Sequence, residues 1–181
     1  MISRPPRVNP IPPPDSTKVK LVVVGDQNVG KSAFCKVSAG KEFPNDYEGT
    51  VGSDYYMRNG KYSEGLFRFD MYDLSGEQVY LDVRNEFYKE AQALVLVYDV
   101  TKKASFDALD MWLRETSRHG GENLPVYVVG NKTDLDKKRT VPKAEAEKWV
   151  KTRMFAGYFE VSSKEEKGFL NFFQTVADQN G

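Results

Sequence analysis

The stretch Gly25-Asp26-Gln27-Asn28-Val29-Gly30-Lys31-Ser32 decides the reading of this 181-residue chain, because it fits G-x-x-x-x-G-K-[ST]. It follows an apolar, strand-like run, Val19 to Val24, and precedes a segment, Lys31 to Ser38, that can be helical. A phosphate-binding loop needs that context. Gly25 and Gly30 carry no Cβ, so the turn can be tight and the backbone can approach a ligand closely. The amides of Asp26, Gln27, Asn28, Val29, Gly30 and Ala33, with the positive end of the following helix, would then face an anion. Lys31 would reach the β- and γ-phosphates of a nucleotide, and the Ser32 hydroxyl would bind Mg²⁺. A glycine-rich strand-to-helix turn with a surface lysine is the plainer alternative.

Asn131-Lys132-Thr133-Asp134 reads N-K-x-D and follows a second apolar run, Val126 to Gly130. A carboxylate at Asp134 can accept two hydrogen bonds, from the N1–H and exocyclic amine of guanine. Adenine lacks those donors and would leave the carboxylate unpaired, so such a site rejects it by roughly 10⁴-fold or more. Asn131 would brace the loop, and the Lys132 stem would lie over the base. Asn, Thr and Asp also favour ordinary turns; the position, 100 residues after Lys31, gives the motif its force. Asp73-Leu74-Ser75-Gly76 reads D-x-x-G and closes the hydrophobic alternation from Leu66 to Tyr72. An acidic residue at that strand end can hold Mg²⁺ through water. Gly76 lets its amide approach the γ-phosphate, and Thr50, in Y-E-G-T-V-G, is placed as a second Mg²⁺ ligand when GTP is bound. In Val161-Ser162-Ser163-Lys164, a backbone amide can meet the guanine O6 and a lysine stem can lie against the base.

In order and separation these five motifs resemble the small GTPases of the Ras superfamily, from about Lys18 to Gln179. Within it, G-D-x-x-V-G-K-S and the L-V-Y-D-V-T run ending at Thr101 are most similar to the Rab branch. Val83 to Lys89 (V-R-N-E-F-Y-K) and Ser105 to Leu113 (S-F-D-A-L-D-M-W-L) resemble the Rab-like RJL group, some members of which carry a C-terminal DnaJ domain. The resemblance implies a P-loop NTPase G-domain fold and a GTP/GDP switch that hydrolyses GTP with Mg²⁺ through Lys31, Thr50, Gly76 and the residue after it. It also implies effector, exchange-factor and GTPase-activating partners, and a monomer. Phe43 stands at the separation from Lys31 of the aromatic that packs edge-on against guanine in Ras-like proteins, with burial in the core as the competing reading.

Two departures bear on chemistry. Where D-x-x-G-Q supplies a glutamine that orients the attacking water, this chain has Glu77, with Gln78 one place late. A carboxylate cannot donate an amide N–H and adds negative charge beside an anionic phosphoryl group, so slow intrinsic turnover is expected. Gln27 and Asn28 occupy places where glycine or a small residue is common. Gln27 could aim its amide at the γ-phosphate or crowd an incoming arginine finger, and both readings stand on the sequence alone. A nucleotide-locked scaffold that hardly hydrolyses GTP is the second hypothesis. A P-loop nucleotide kinase or ATPase is the third, and N-K-T-D argues against it.

Composition is compatible with one domain. Lysine and arginine total 26, matched by 26 aspartates and glutamates, which gives no electrostatic case for nucleic acid or an anionic membrane. Cys35 falls in the first helix as a small buried hydrophobe, and His119, beside Gly120 and Gly121, as a surface residue rather than a metal ligand. Six of the nine prolines lie in residues 1–17, which read as an extended or disordered leader before a G domain over 18–181. No signal peptide, apolar span or terminal prenylation cysteine is seen, so a protein of the cytosol or nucleus without a membrane anchor is expected, though a tail or J domain could have been removed. Strands are expected near 18–25, 51–59, 65–72, 93–100, 126–131 and 157–161. Helices are expected near 31–39, 79–90, 104–118, 142–152 and 168–179, with Pro142 in a first turn. This alternation predicts an α/β fold: a six-stranded, mostly parallel sheet with helices on both faces and ligand phosphates at the carboxyl ends of its strands. The second strand is the antiparallel exception, turning into the third at Asn59-Gly60.

Overall fold

A computed structural model describes residues 11–12 and 14–181. Most of the proline-rich leader therefore lies outside the described residues. Six strands, β1 (Thr17–Val24), β2 (Ser53–Tyr62), β3 (Gly65–Leu74), β4 (Ala93–Asp99), β5 (Val126–Asn131) and β6 (Gly157–Glu160), form one sheet. Their order is β2-β3-β1-β4-β5-β6, with only β2 antiparallel to its neighbour. The helices are α1 (Lys31–Ser38), α2 (Leu81–Tyr88), α3 (Lys103–Asp107), α4 (Leu109–Arg118), α5 (Lys143–Thr152) and α6 (Phe169–Asn180).

The strands that read as unbroken apolar runs are buried on both sides, as central parallel strands must be. Val19, Leu21 and Val23 of β1 face Phe34 of α1 and Phe172 and Phe173 of α6. Val22 and Val24 face the opposite cluster, with Leu109 and Trp112 of α4 and Ala146 and Val150 of α5. Cys35 is fully buried in the first cluster, and burial pushes its thiol well up. His119 caps the end of α4, half-buried.

Four expectations are corrected. The β2–β3 turn is Ser63-Glu64, not Asn59-Gly60, which lies inside β2 opposite Arg68 and Phe67. Gly60 serves packing instead: a Cβ there would lie 2.8 Å from the Tyr62 ring, which stacks edge-on against Phe67 and Phe69. The expected 104–118 helix is two helices broken at Ala108, and the 79–90 helix opens with a 3₁₀ turn, Gln78–Tyr80. Pro142 is extended at the N-cap of α5, one place before the first turn.

Register then sets the site. Val23 of β1 pairs with Asp73 of β3, and Asp99 of β4 with Asn131 of β5. The carboxyl ends of four adjacent strands thus open onto one crevice, where α/β sheets bind ligands.

Candidate functional site

The crevice is a cavity of about 400 Å³, and the residues lining it come from all five motifs. Its floor is the loop between β1 and α1. Asn28 holds φ +62° and Gly30 φ +92°, so the amides of this loop and of the uncapped α1 N-terminus converge as an anion-binding concavity. The left-handed Asn28 explains why glycine is common there and why asparagine is tolerated. A Cβ on Gly30 would lie 2.3 Å from Asn131 Nδ2, so only glycine fits. Lys31 is buried at 6% exposure and donates from Nζ to Gly25 O (2.8 Å) and Asp26 O (2.7 Å). Burial pulls its ammonium down to about 8, while the charges of Asp73 and Asp26 oppose that.

Beside the loop, three residues from three motifs meet. Ser32 Oγ donates to Asp73 Oδ2 at 2.5 Å, Thr50 Oγ1 donates to the same oxygen at 3.1 Å, and the two hydroxyls are 2.9 Å apart. Asp73 Oδ1 is buried and takes no hydrogen bond. Burial pushes this carboxyl up, partly offset by the Ser32 hydrogen bond and the Lys31 charge. The cluster thus holds hard oxygen donors and one carboxylate oxygen with no partner among the described residues, which fits Mg²⁺. Among the described residues no group of three His, Cys, Asp or Glu could hold a metal, so such a cation would depend on these hydroxyls, one carboxylate and ligand phosphates.

At the other end of the cavity, Asn131 ties three loops together. Its Nδ2 donates to Val29 O (3.1 Å) and Gly30 O (3.2 Å), and its Oδ1 accepts from Lys132 N (2.8 Å) and Ser163 Oγ (3.1 Å). Lys132 adopts φ +68° and sends Nζ to Asp99 Oδ2 (2.9 Å) and Asn28 O (2.6 Å). Burial opposes the charge on Asp99, but hydrogen bonds from Thr101 and Lys132 outweigh it and hold that carboxyl below the usual range. Asp134 lines the cavity, and Ser162 Oγ donates to its Oδ1 at 2.8 Å. Ser163 and Lys164 line the cavity too.

Gln27, Ala33, Phe43, Gly76 and Glu77 also line the cavity. Phe43 is 38% exposed, so its core reading is set aside. Gly76 packs directly on the phosphate-loop segment: a Cβ there would lie 2.8 Å from both Gln27 N and Gly25 O. The Glu77 carboxylate lies beside Gly49, where a built Cβ would meet Oε1 at 3.6 Å. Four of the expected residues stand behind the cavity rather than in its lining. Val29 is buried in the core, Ser162 orients Asp134, the Asp26 carboxylate accepts from Trp112 Nε1 at 2.8 Å, and Asp73 is buried behind Ser32 and Thr50.

Sequence reasoning missed Asp99, Lys36, Tyr47 and Leu135. Asp99 ends an apolar strand as Asp73 does, and that signal could have found it. Lys36, Tyr47 and Leu135 line the cavity without a motif to mark them.

A Ras family model matches residues 20–180. Curated relatives named DnaJ homolog subfamily C member 27 match the chain from several animals. The Danio rerio protein is 37% identical over 177 residues, covering 92% of this chain and 64% of its own length. The Rattus norvegicus and Homo sapiens proteins are each 38% identical over 168 residues, covering 90% of this chain and 61% of their own. The chain thus spans less than two thirds of these relatives. Their names agree with the J-domain group that residues 83–89 and 105–113 resemble.

Proposed function

Because the chain belongs to the Ras family, a family of GTP-binding switches, we propose that it binds GTP and GDP with Mg²⁺, hydrolyses GTP slowly, and signals through the loops around Thr50 and Gly76. The observation that carries this is the meeting of Ser32, Thr50 and Asp73 within hydrogen-bond distance, though they come from three segments of chain. In this reading the loop amides and Lys31 hold the phosphates, Asp134 reads guanine, and Phe43 and the Lys132 stem flank the base. Asn28, Ser163 and Lys164 complete the nucleotide contacts. Ser32 and Thr50 would hold the cation directly and Asp73 through water, and bound Mg²⁺ would neutralise charge on the phosphates.

Thr50 sits on an irregular, largely exposed segment between α1 and β2, so its contacts to the cation site link that segment's order to the ligand. Residues 44–56 should resist limited proteolysis more with a non-hydrolysable GTP analogue than with GDP. Equal cleavage in both states would contradict the switch. Effector, exchange-factor and activating proteins are the partners this reading implies. No helix among the described residues is long and apolar enough to cross a membrane.

Glu77 supports slow turnover. It lines the cavity beside Gly49, where a carboxylate brings no amide donor to a site that must stabilise negative charge. Glu77→Gln restores an amide donor, and single-turnover hydrolysis on GTP-preloaded protein should rise by about tenfold, within what one well-placed donor supplies. An unchanged or lower rate would assign Glu77 a positive catalytic role instead. A nucleotide-locked scaffold is the second reading, favoured by the same residue, and hydrolysis too slow to detect in the unaltered chain would select it.

A further inference from the structure

Arg84 of α2 is 1% exposed, and a guanidinium so buried costs several kcal/mol of desolvation unless its donors are answered. Nε and Nη2 form a bidentate pair with Glu115 of α4 at 2.7 and 2.9 Å. Nη1 donates to two backbone carbonyls, Ser75 O at 3.0 Å and Glu77 O at 2.6 Å. Those carbonyls flank Gly76. The guanidinium also lies 4.9 Å over the Trp112 ring, and Tyr88 Oη donates to Glu115 Oε1 at 2.7 Å. Trp112 in turn donates to Asp26, the residue before Gln27. A continuous chain of contacts therefore runs from Glu77 through Arg84 and Trp112 to the phosphate loop, on the far side from the direct packing of Gly76 against Gln27.

We infer that Arg84 is a positioning residue for GTP hydrolysis: held by Glu115 and Trp112, it clamps the Ser75 and Glu77 carbonyls and so fixes where the side chain at position 77 stands relative to the phosphate loop. The inference rests on the GTPase reading above for its consequence, but the clamp itself is a property of the protein. Charge-assisted hydrogen bonds to carbonyls are the strong kind, and these two come from a cation that cannot lose its proton. The Ser75–Glu77 segment is thereby held from beneath.

A double-mutant cycle tests this, with amide exchange of residues 75–79 as a second readout. Arg84→Met/Glu115→Met removes the ion pair as a unit and leaves no lone buried charge. If that variant does not fold, Arg84→Lys keeps the charge but cannot reach Glu115 and two carbonyls together. Trp112→Phe keeps an aromatic ring but trims the indole and deletes its N–H to Asp26, and should shift both readouts in the same direction by a smaller amount. In the Arg84 background, Glu77→Gln should raise single-turnover hydrolysis by about tenfold, and in the clamp-less background by less than about twofold. Exchange of residues 75–79 in the protein as purified should speed up by about tenfold or more without the clamp. An equal gain from Glu77→Gln in both backgrounds, or unchanged exchange, would overturn the inference. If Glu77→Gln brings no gain in either background, the hydrolysis reading fails, and the exchange result alone then decides for or against the clamp.

Discussion

Asp134→Asn should lower GTP affinity by at least about 10³-fold and move the preference toward xanthine nucleotides. Asp134 lines the cavity with its carboxylate already turned by Ser162, whose hydroxyl holds Oδ1 at 2.8 Å. A carboxylate so held would accept from the N1–H and amine of guanine in the proposed complex. An asparagine would set its own amide donor against one of them, leaving two donors face to face in a desolvated site. Xanthine carries a carbonyl where guanine has its amine, so the asparagine amide finds an acceptor. Competition between GTP and XTP on the folded variant measures the shift, and an unchanged preference for GTP would remove Asp134 from base recognition.

Lys31→Ala should cost the chain its phosphate affinity whatever stands at position 77. The Lys31 ammonium is buried among loop carbonyls and is the only side-chain cation inside the loop that wraps the anion site. In the proposed complex its Nζ would turn two charge-assisted hydrogen bonds on phosphate oxygens, and at roughly 1.5–3 kcal/mol each their loss amounts to about 10³-fold. The variant should therefore purify without bound nucleotide while Glu77→Gln purifies with it, which separates binding from chemistry. Nucleotide retained at wild-type occupancy in Lys31→Ala, with the fold confirmed by circular dichroism, would contradict this role.

The parts of this molecule that were legible in the sequence are those whose causes are local. β1, β4 and β5 are buried on both faces and appear as plain apolar runs, so their positions came out within a residue or so. Ser32, Thr50 and Asp73 sit in short motifs, and their separations of 18 and 23 residues carry the convergence seen in space. Asn59-Gly60 misled because the same dipeptide serves a tight turn or makes room for a ring, and only the Tyr62 packing shows which. The break at Ala108 left no mark, since Phe106, Leu109 and Trp112 keep a helical spacing across it. Arg84 and Glu115 were invisible for a deeper reason. They lie 31 residues apart on two helices, and each alone reads as a solvated charge; only the packing of α2 on α4 pairs them. Asp99 shows the reverse, a local signal of the kind used at Asp73 that was left unread.

The central claim is that this cavity holds a guanine nucleotide, and the nucleotide content of the purified protein, extracted with acid and separated by chromatography, tests it most directly. The account predicts GDP or GTP at close to one per chain, lost on Lys31→Ala and reduced on Asp134→Asn. Adenine nucleotide in that extract would contradict the account, because the Asp134 carboxylate would then face a base edge without donors at N1 and C2.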